Sequence, residues 1–125
     1  MENHKYHILI VEDDKEIRDG VEIYLKNQGY QVWKAANGKE GLEIVAQEEI
    51  HLAILDIMMP VMDGFEASER IRNLDREDAH TIPIIPLSAS SSEEDMEKAV
   101  ESGMNGYLVK PVSIDLLKHT LQNMI

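Results

Sequence analysis

Cysteine is absent from the 125-residue chain, which removes disulfide frameworks, thiolate metal sites and thiol nucleophiles together. Basic residues are scarce. Twelve Lys+Arg stand against 24 Asp+Glu, a formal charge of −12 at pH 7. Phosphate binding is driven largely by Lys and Arg, so direct nucleic-acid binding and adsorption to an anionic membrane are not expected. The acid excess suits a cation site or a basic partner instead. No apolar run approaches the ~20 residues that span a bilayer. The opening Met1-Glu2-Asn3-His4-Lys5 lacks the basic and apolar regions of a signal peptide. A cytoplasmic protein is the expectation. There is no internal repeat, linker or low-complexity tract. What is present, 43% hydrophobic and 29% charged residues, is ordinary for a globular domain. The length fits one domain of about 100–150 residues, able to bury roughly two thirds of its unfolded surface.

Short apolar runs alternate with helical patterns. HILIV at 7–11 reads as a strand buried on both faces. Asp13 and Glu16 then form a capping-box pattern, with Ile17, Val21, Tyr24 and Leu25 on one helix face and Gly29 as the stop. A second strand fits 30–35, Asn37-Gly38 is a turn signal, and Leu42, Val45 and Ala46 mark a weaker helix face. LAILD at 52–56 is a third strand. A helix starts near Asp63 with Phe65, Ser68 and Ile71 on one side, and Asn73–Thr81 reads as a loop. IPIIPL at 82–87 is a fourth strand. Pro86 cannot donate to a ladder, so a strand end or bulge is expected there. Ser90, Ser91 and Ser92 before Glu93, Glu94 and Asp95 cap a helix bearing Met96, Ala99 and Val100, stopped at Gly103. GYLV at 106–109 is strand five, and a last helix carries Leu117, Leu121 and Met124.

Five βα units imply an α/β, doubly wound parallel sheet with helices on both faces. Ligands of such sheets bind beyond the carboxyl ends of the strands, where the winding reverses. There the sequence places Glu12, Asp13 and Asp14 after strand one, Asp56 after strand three, Ser88 after strand four and Lys110-Pro111 after strand five. Clustered carboxylates resist joint ionisation without a compensating cation. Hard oxygen donors without thiolates or paired histidines favour Mg²⁺ or Ca²⁺ over zinc. A lysine ammonium and a serine hydroxyl suit phosphate oxygens. The residues therefore point to metal-assisted phosphoryl chemistry on a carboxylate, with aspartate as a nucleophile able to form an aspartyl phosphate.

IVEDD at 10–14, LDIMMPVMDG at 55–64, LSA at 87–89 and GYLVKP at 106–111, in that order, resemble the signatures of response-regulator receiver domains, the CheY-like superfamily of two-component signalling. The resemblance covers about residues 7 to 124. It implies a flavodoxin-like five-stranded sheet of order 2-1-3-4-5, with residues 1–125 forming a single receiver domain and no effector domain. It implies that Asp56 accepts a phosphoryl group from a phosphohistidine of a sensor histidine kinase or phosphotransfer protein. Mg²⁺, with Mn²⁺ as a substitute, would be held by Asp13, Asp56 and the Met58 backbone carbonyl, with Glu12 acting through water. Lys110 would contact the phosphoryl group, Ser88 would move towards it, and Tyr107 would turn inward. The surface of helix four, strand five and helix five would then change, with a homodimer among its outcomes. The Lys110-Pro111 bond is expected to be cis. The resemblance implies a phosphoacceptor switch, not an enzyme acting on separate substrates. Met58 and Ser90, two positions beyond the acceptor and the switch hydroxyl, would set the phosphate lifetime.

Blander readings exist for single residues. Asp13 could cap the first helix, Ser88 could satisfy a backbone group, and Lys110 alone would be a surface lysine. Met58, Met59 and Met62 read as packing residues. The five histidines show no metal-ligand spacing. Gly64 reads as a place of close backbone approach. A flavodoxin would need a hydroxyl- and glycine-rich phosphate loop where Glu12-Asp13-Asp14 stands. An aspartyl phosphatase would usually carry a second aspartate at the position of Met58. Yellow colour and small-molecule turnover, respectively, would mark those two alternatives. A receiver used only as an unphosphorylated docking module is disfavoured by the complete acid, hydroxyl and lysine set.

Overall fold

The computed structural model describes residues 6–59, 61–89 and 92–124. Ten elements alternate: β1 (His7–Val11), α1 (Lys15–Asn27), β2 (Gln31–Ala35), α2 (Gly38–Gln47), β3 (Leu52–Asp56), α3 (Gly64–Arg72), β4 (Ile84–Ser88), α4 (Glu93–Glu101), β5 (Leu108–Val109) and α5 (Ile114–Met124). All neighbouring strands pair in parallel, in the order β2-β1-β3-β4-β5. This is the expected sheet order.

The period-two alternation of the strands sorts the core into two layers. Leu9, Val11, Ala53, Leu55 and Ile84 face Val45, Ala67, Ile71 and Ala99, so α2, α3 and α4 cover one side. Ile8, Ile10, Leu52, Ile54 and Leu87 meet Val21, Leu25, Leu117 and Leu121 of α1 and α5 on the other. Because β1 and β3 are buried along nearly their whole length, their sequences are continuous apolar runs rather than alternating ones. The chain winds outward from β1 to β2 and then crosses back to β3. A crevice therefore opens where the ends of β1 and β3 meet.

Several local expectations change. The cap of α1 is Asp14, not Asp13: Asp14 Oδ1 accepts from the Glu16 and Ile17 amides. Gly29 follows α1 with φ +93°, a left-handed position where glycine costs least. β2 begins at Gln31, one residue later than expected. Asn37, Asp63 and Ser92 cap α2, α3 and α4; Ser90 and Ser91, and with them the lifetime role expected of Ser90, lie outside the described residues. On α2 the inward residues include Ile44, while Ala46 is exposed. On α4 only Ala99 is buried, and Met96 and Val100 face solvent. The methionine pattern there was an outer face, not core.

β4 starts at Ile84 and runs through Ser88, and Pro86 sits inside it, paired in unbroken register with Leu55. The tolerance has a geometric reason. Ile84 and Ser88 turn their backbone groups towards the β5 side, where they meet Asn105 and Lys110, and Pro86 lies in phase with them. Its missing donor thus faces the side where the ladder is only two residues long. β5 spans Leu108–Val109 rather than 106–109, so Tyr107 precedes the strand. His7 and His51 are satisfied within the fold, His7 Nδ1 accepting from Trp33 Nε1 and His51 Nδ1 from the His7 amide. No helix is long and apolar enough to cross a membrane among the described residues.

Candidate functional site

Each side chain of the crevice is delivered by a strand end. Glu12 follows β1 and is fully buried. Asp56 closes β3 at 1% exposure. Because Asp14 does the capping, Asp13 is left to project towards both. One carboxylate oxygen from each of Glu12, Asp13 and Asp56 falls within 4.8 Å of the other two. From the far side, Lys110 Nζ stands 2.9 Å from Glu12 Oε1 and 3.1 Å from Asp56 Oδ2. Asp56 Oδ1 accepts from the Met58 amide at 3.0 Å. Ser88 ends β4, and its carbonyl accepts from the Lys110 amide at 2.7 Å, which ties the ends of β4 and β5 together. The Lys110-Pro111 bond is cis, as expected.

The electrostatics follow from this crowding. Burial, reinforced by the hydrogen bond shared with Asp56, pushes the Glu12 carboxyl up to about 7; the Asp14 amide and Lys110 oppose it. Burial also works to raise Asp13, but its hydrogen bonds with Glu12 and Asp56 and the charge of Lys110 hold it below the usual range. Burial would lower Lys110, yet Glu12 and Asp56 together raise it, so it stays an ammonium. Glu12 Oε1 keeps no hydrogen-bond partner despite the nearby ammonium. The Lys110 contact is a close charge approach rather than a directed bond. A buried carboxylate oxygen without a donor, facing two further carboxylates, fits a hard divalent cation and its water shell.

The remaining expected residues sit at different distances from this centre. Met58 is 73% exposed at the rim and is not a packing residue, whereas Met59 is buried and Met62 packs on the core. Tyr107 is half-buried against the α2–α3–α4 layer. Two features carried no sequence signal. Arg18 Nη1 donates to the Glu12 carbonyl at 2.7 Å, and Val61 adopts φ +73° in the loop after Asp56, a strained value for a β-branched residue.

Gly64 is the close approach expected of it. A Cβ there would lie 2.6 Å from the Asp56 carbonyl oxygen and 2.9 Å from Ile57 Cα. Neither backbone atom can yield without moving the end of β3. Gly64→Ala is therefore expected to lose about 1–3 kcal/mol and to weaken divalent-cation binding. Unchanged urea midpoint and cation affinity would contradict this.

The sequence model of the response regulator receiver domain matches residues 8–122. The regulatory protein VanR of Enterococcus faecium is 45% identical over 104 residues, 83% of this chain and 43% of its own length. The chain spans less than half the length of three of the curated regulators it matches. Among solved structures, the chemotaxis protein CheY4 of Vibrio cholerae superposes with TM-score 0.91 at 33% identity, covering 96% of this chain and 98% of that one. The receiver domain of the sensor histidine kinase PA1611 of Pseudomonas aeruginosa, with a magnesium ion coordinated in its active-site cleft, gives 0.86 at 32%, covering 95% and 96%. Sheet order, strand-end carboxylates and sequence agree: the chain belongs to the response regulator receiver domain family of two-component signalling.

Proposed function

We propose that this domain is a phosphorylation switch in which Asp56 is the acceptor. A carboxylate oxygen of Asp56 forms the new O–P bond while the P–N bond of a donor phosphohistidine breaks, its electron pair returning to the imidazole nitrogen. The observation that carries the reading is the convergence of three carboxylates and one ammonium on a single strand-end crevice, with Asp56 within reach of both other carboxylates and of the ammonium. Asp13, Asp56, the Met58 carbonyl and, through water, Glu12 would hold Mg²⁺, or Mn²⁺ in its place. That ion supplies neutralisation of the negative charge that the phosphoryl group brings among the carboxylates. Lys110 offers the remaining positive charge to a phosphoryl oxygen.

The donor surface adjoins the crevice. An apolar trough of about 470 Å³ lined by Ile17, Gly20, Ala89, Pro111, Val112 and Ile114 runs beside Lys110. It suits the side of a kinase or phosphotransfer helix presenting its histidine. Output is assigned to the α4–β5–α5 surface, where Met96, Val100 and Leu116 are exposed. Attraction of the Ser88 hydroxyl to the phosphoryl group would shift the segment after β4 and let Tyr107 turn inward. The altered surface would then meet a partner or a second copy.

Intact-mass measurement with acetyl phosphate and Mg²⁺ tests the acceptor. One added phosphate is expected on the wild type, none on Asp56→Asn, and none on the wild type in excess EDTA. Modification of Asp56→Asn at another aspartate would remove the assignment.

A further inference from the structure

Glu12 is pinned on every side but one. Its amide donates to the Ala35 carbonyl at 3.1 Å, and its Oε2 accepts from the Asp14 amide at 3.0 Å. Its carbonyl takes the Arg18 guanidinium at 2.7 Å. What lacks a directed hydrogen bond is Oε1, the oxygen aimed into the crevice, where it meets the Lys110 ammonium at 2.9 Å. Of these contacts, the Arg18 bond alone comes from a side chain. It reaches back from the second turn of α1 to the peptide that joins Glu12 to Asp13, and so fixes both carboxylates at once. No carboxylate pairs with Arg18 in the ion pairs of the described residues, so an ion pair does not account for its placement.

We propose that Arg18 is a positioning residue of the cation site, acting through the Glu12 carbonyl; this rests on the reading of Glu12, Asp13 and Asp56 as that site. A hydrogen bond from a planar, permanently charged fork orients the 12–13 peptide more tightly than solvent would. It acts as an outer-shell support for ligands that precede the helix and belong to no element. The sign of the effect separates positioning from plain electrostatics. Arg18 is a cation near a cation site, so by Coulomb repulsion alone its removal should tighten metal binding. If it positions the ligands, removal loosens binding.

Calorimetric titration of the full chain with Mg²⁺, without phosphodonor, decides between them. The wild type should bind, and Asp13→Asn should lose binding, which checks the site itself. Arg18→Met is expected to bind about ten-fold more weakly, the lower end of the range for loss of an outer-shell partner. Lys15→Met is the charge control, because Lys15 is exposed on the same helix start and pairs with Asp19 at 2.6 Å without touching Glu12; it should bind as the wild type or slightly tighter. Unchanged or tighter binding by Arg18→Met, or equal weakening by Lys15→Met, overturns the proposal while leaving the site reading intact. Absence of wild-type binding overturns both. Should Arg18→Met not fold, Arg18→Lys carries the test, since it keeps the charge but offers a single rotating donor. Several-fold weakening is then expected, and wild-type affinity overturns the proposal.

Discussion

Metal-free protein carrying Glu12→Gln is expected to melt well above the wild type at about pH 8. Glu12 is fully buried and its carboxyl is raised to about 7, against an ordinary value of 4.5. A raised carboxyl favours folding while it is protonated. Its contribution is complete below about pH 4.5 and is lost as pH rises through about 7. Above that range the fold must hold an ionised, buried carboxylate beside Asp56, at a cost on the order of 3 kcal/mol. Glutamine keeps the shape and can still accept from the Asp14 amide, though its amino group then faces Lys110. About 1–2 kcal/mol of the cost should therefore be recovered, or roughly 3–10 °C in melting temperature for a domain of this size.

The difference should vanish near pH 4.5, where the wild-type Glu12 is protonated and position 12 carries no charge in either protein. Asp13 does not mask it, because a lowered carboxyl acts in the opposite sense and in another window: its contribution is present above 3.8 and is lost only as pH falls through its own, lower value. Saturating Mg²⁺ should narrow the difference at pH 8, since the wild type keeps all of the proposed holders, binds the ion more tightly and so gains more stability from it. Calorimetric melts of both proteins at the two pH values, with and without Mg²⁺, provide the check. A variant no more stable than the wild type at pH 8 would show that the crevice does not strain its buried acid.

Which parts of this molecule were legible in the sequence follows from what each signal measures. The buried runs HILIV and LAILD set β1 and β3 to the residue, because burial on both faces leaves no room for polar residues. The strand-end acids were legible for the same reason: a charge directly after such a run stands at a sheet edge. Asp13 and Asp14 were not separable as caps. Both are short acids ahead of a helix, and only the backbone course decides which one turns back onto the amides. α4 misled through Met96 and Val100, whose helical spacing is that of a buried face although no neighbouring element covers them. β5 was read too long, since residues 106 and 107 are apolar enough for a strand but lie outside the ladder. Arg18 and Arg72 could not be foreseen, because both serve backbone carbonyls, and a carbonyl leaves no mark in a sequence.

Arg72→Met is expected to be strongly destabilising although it lies away from the crevice. The last residue of α3 sends its guanidinium into the base of the fold. Nε and Nη2 donate to the Gly103 carbonyl at 3.0 and 2.7 Å, Nη1 to the Ala79 and Ile82 carbonyls at 3.0 and 2.7 Å, and Nη2 also to Asn105 Oδ1 at 3.0 Å. Burial holds the guanidinium below its usual value, with no carboxylate to offset it. One side chain thus joins the end of α3, the loop before β4 and the turn from α4 to β5. Methionine fills the apolar stem but leaves three carbonyls without their donor, each costing about 1–3 kcal/mol where water cannot replace it. Partial access of water brings the expected total to about 3–5 kcal/mol, readable in a urea melt. Arg72→Lys should recover less than half, because one ammonium cannot span three carbonyls.

The same contacts bear on the switch. Ser68 Oγ donates to the Ser102 carbonyl at 2.7 Å, so α4 is anchored at its carboxyl end by α3 through both Ser68 and Arg72. Its amino end continues from the segment after Ser88. A displacement begun at Ser88 should therefore pivot α4 about residues 102–105 rather than translate it. Amide NMR with and without beryllofluoride should show shifts that are largest at 92–97 and decline towards 101–105. In Arg72→Lys the decline should flatten as the anchor loosens. Uniform shifts along wild-type α4 would mean that the helix moves as a free body and that Arg72 serves stability alone.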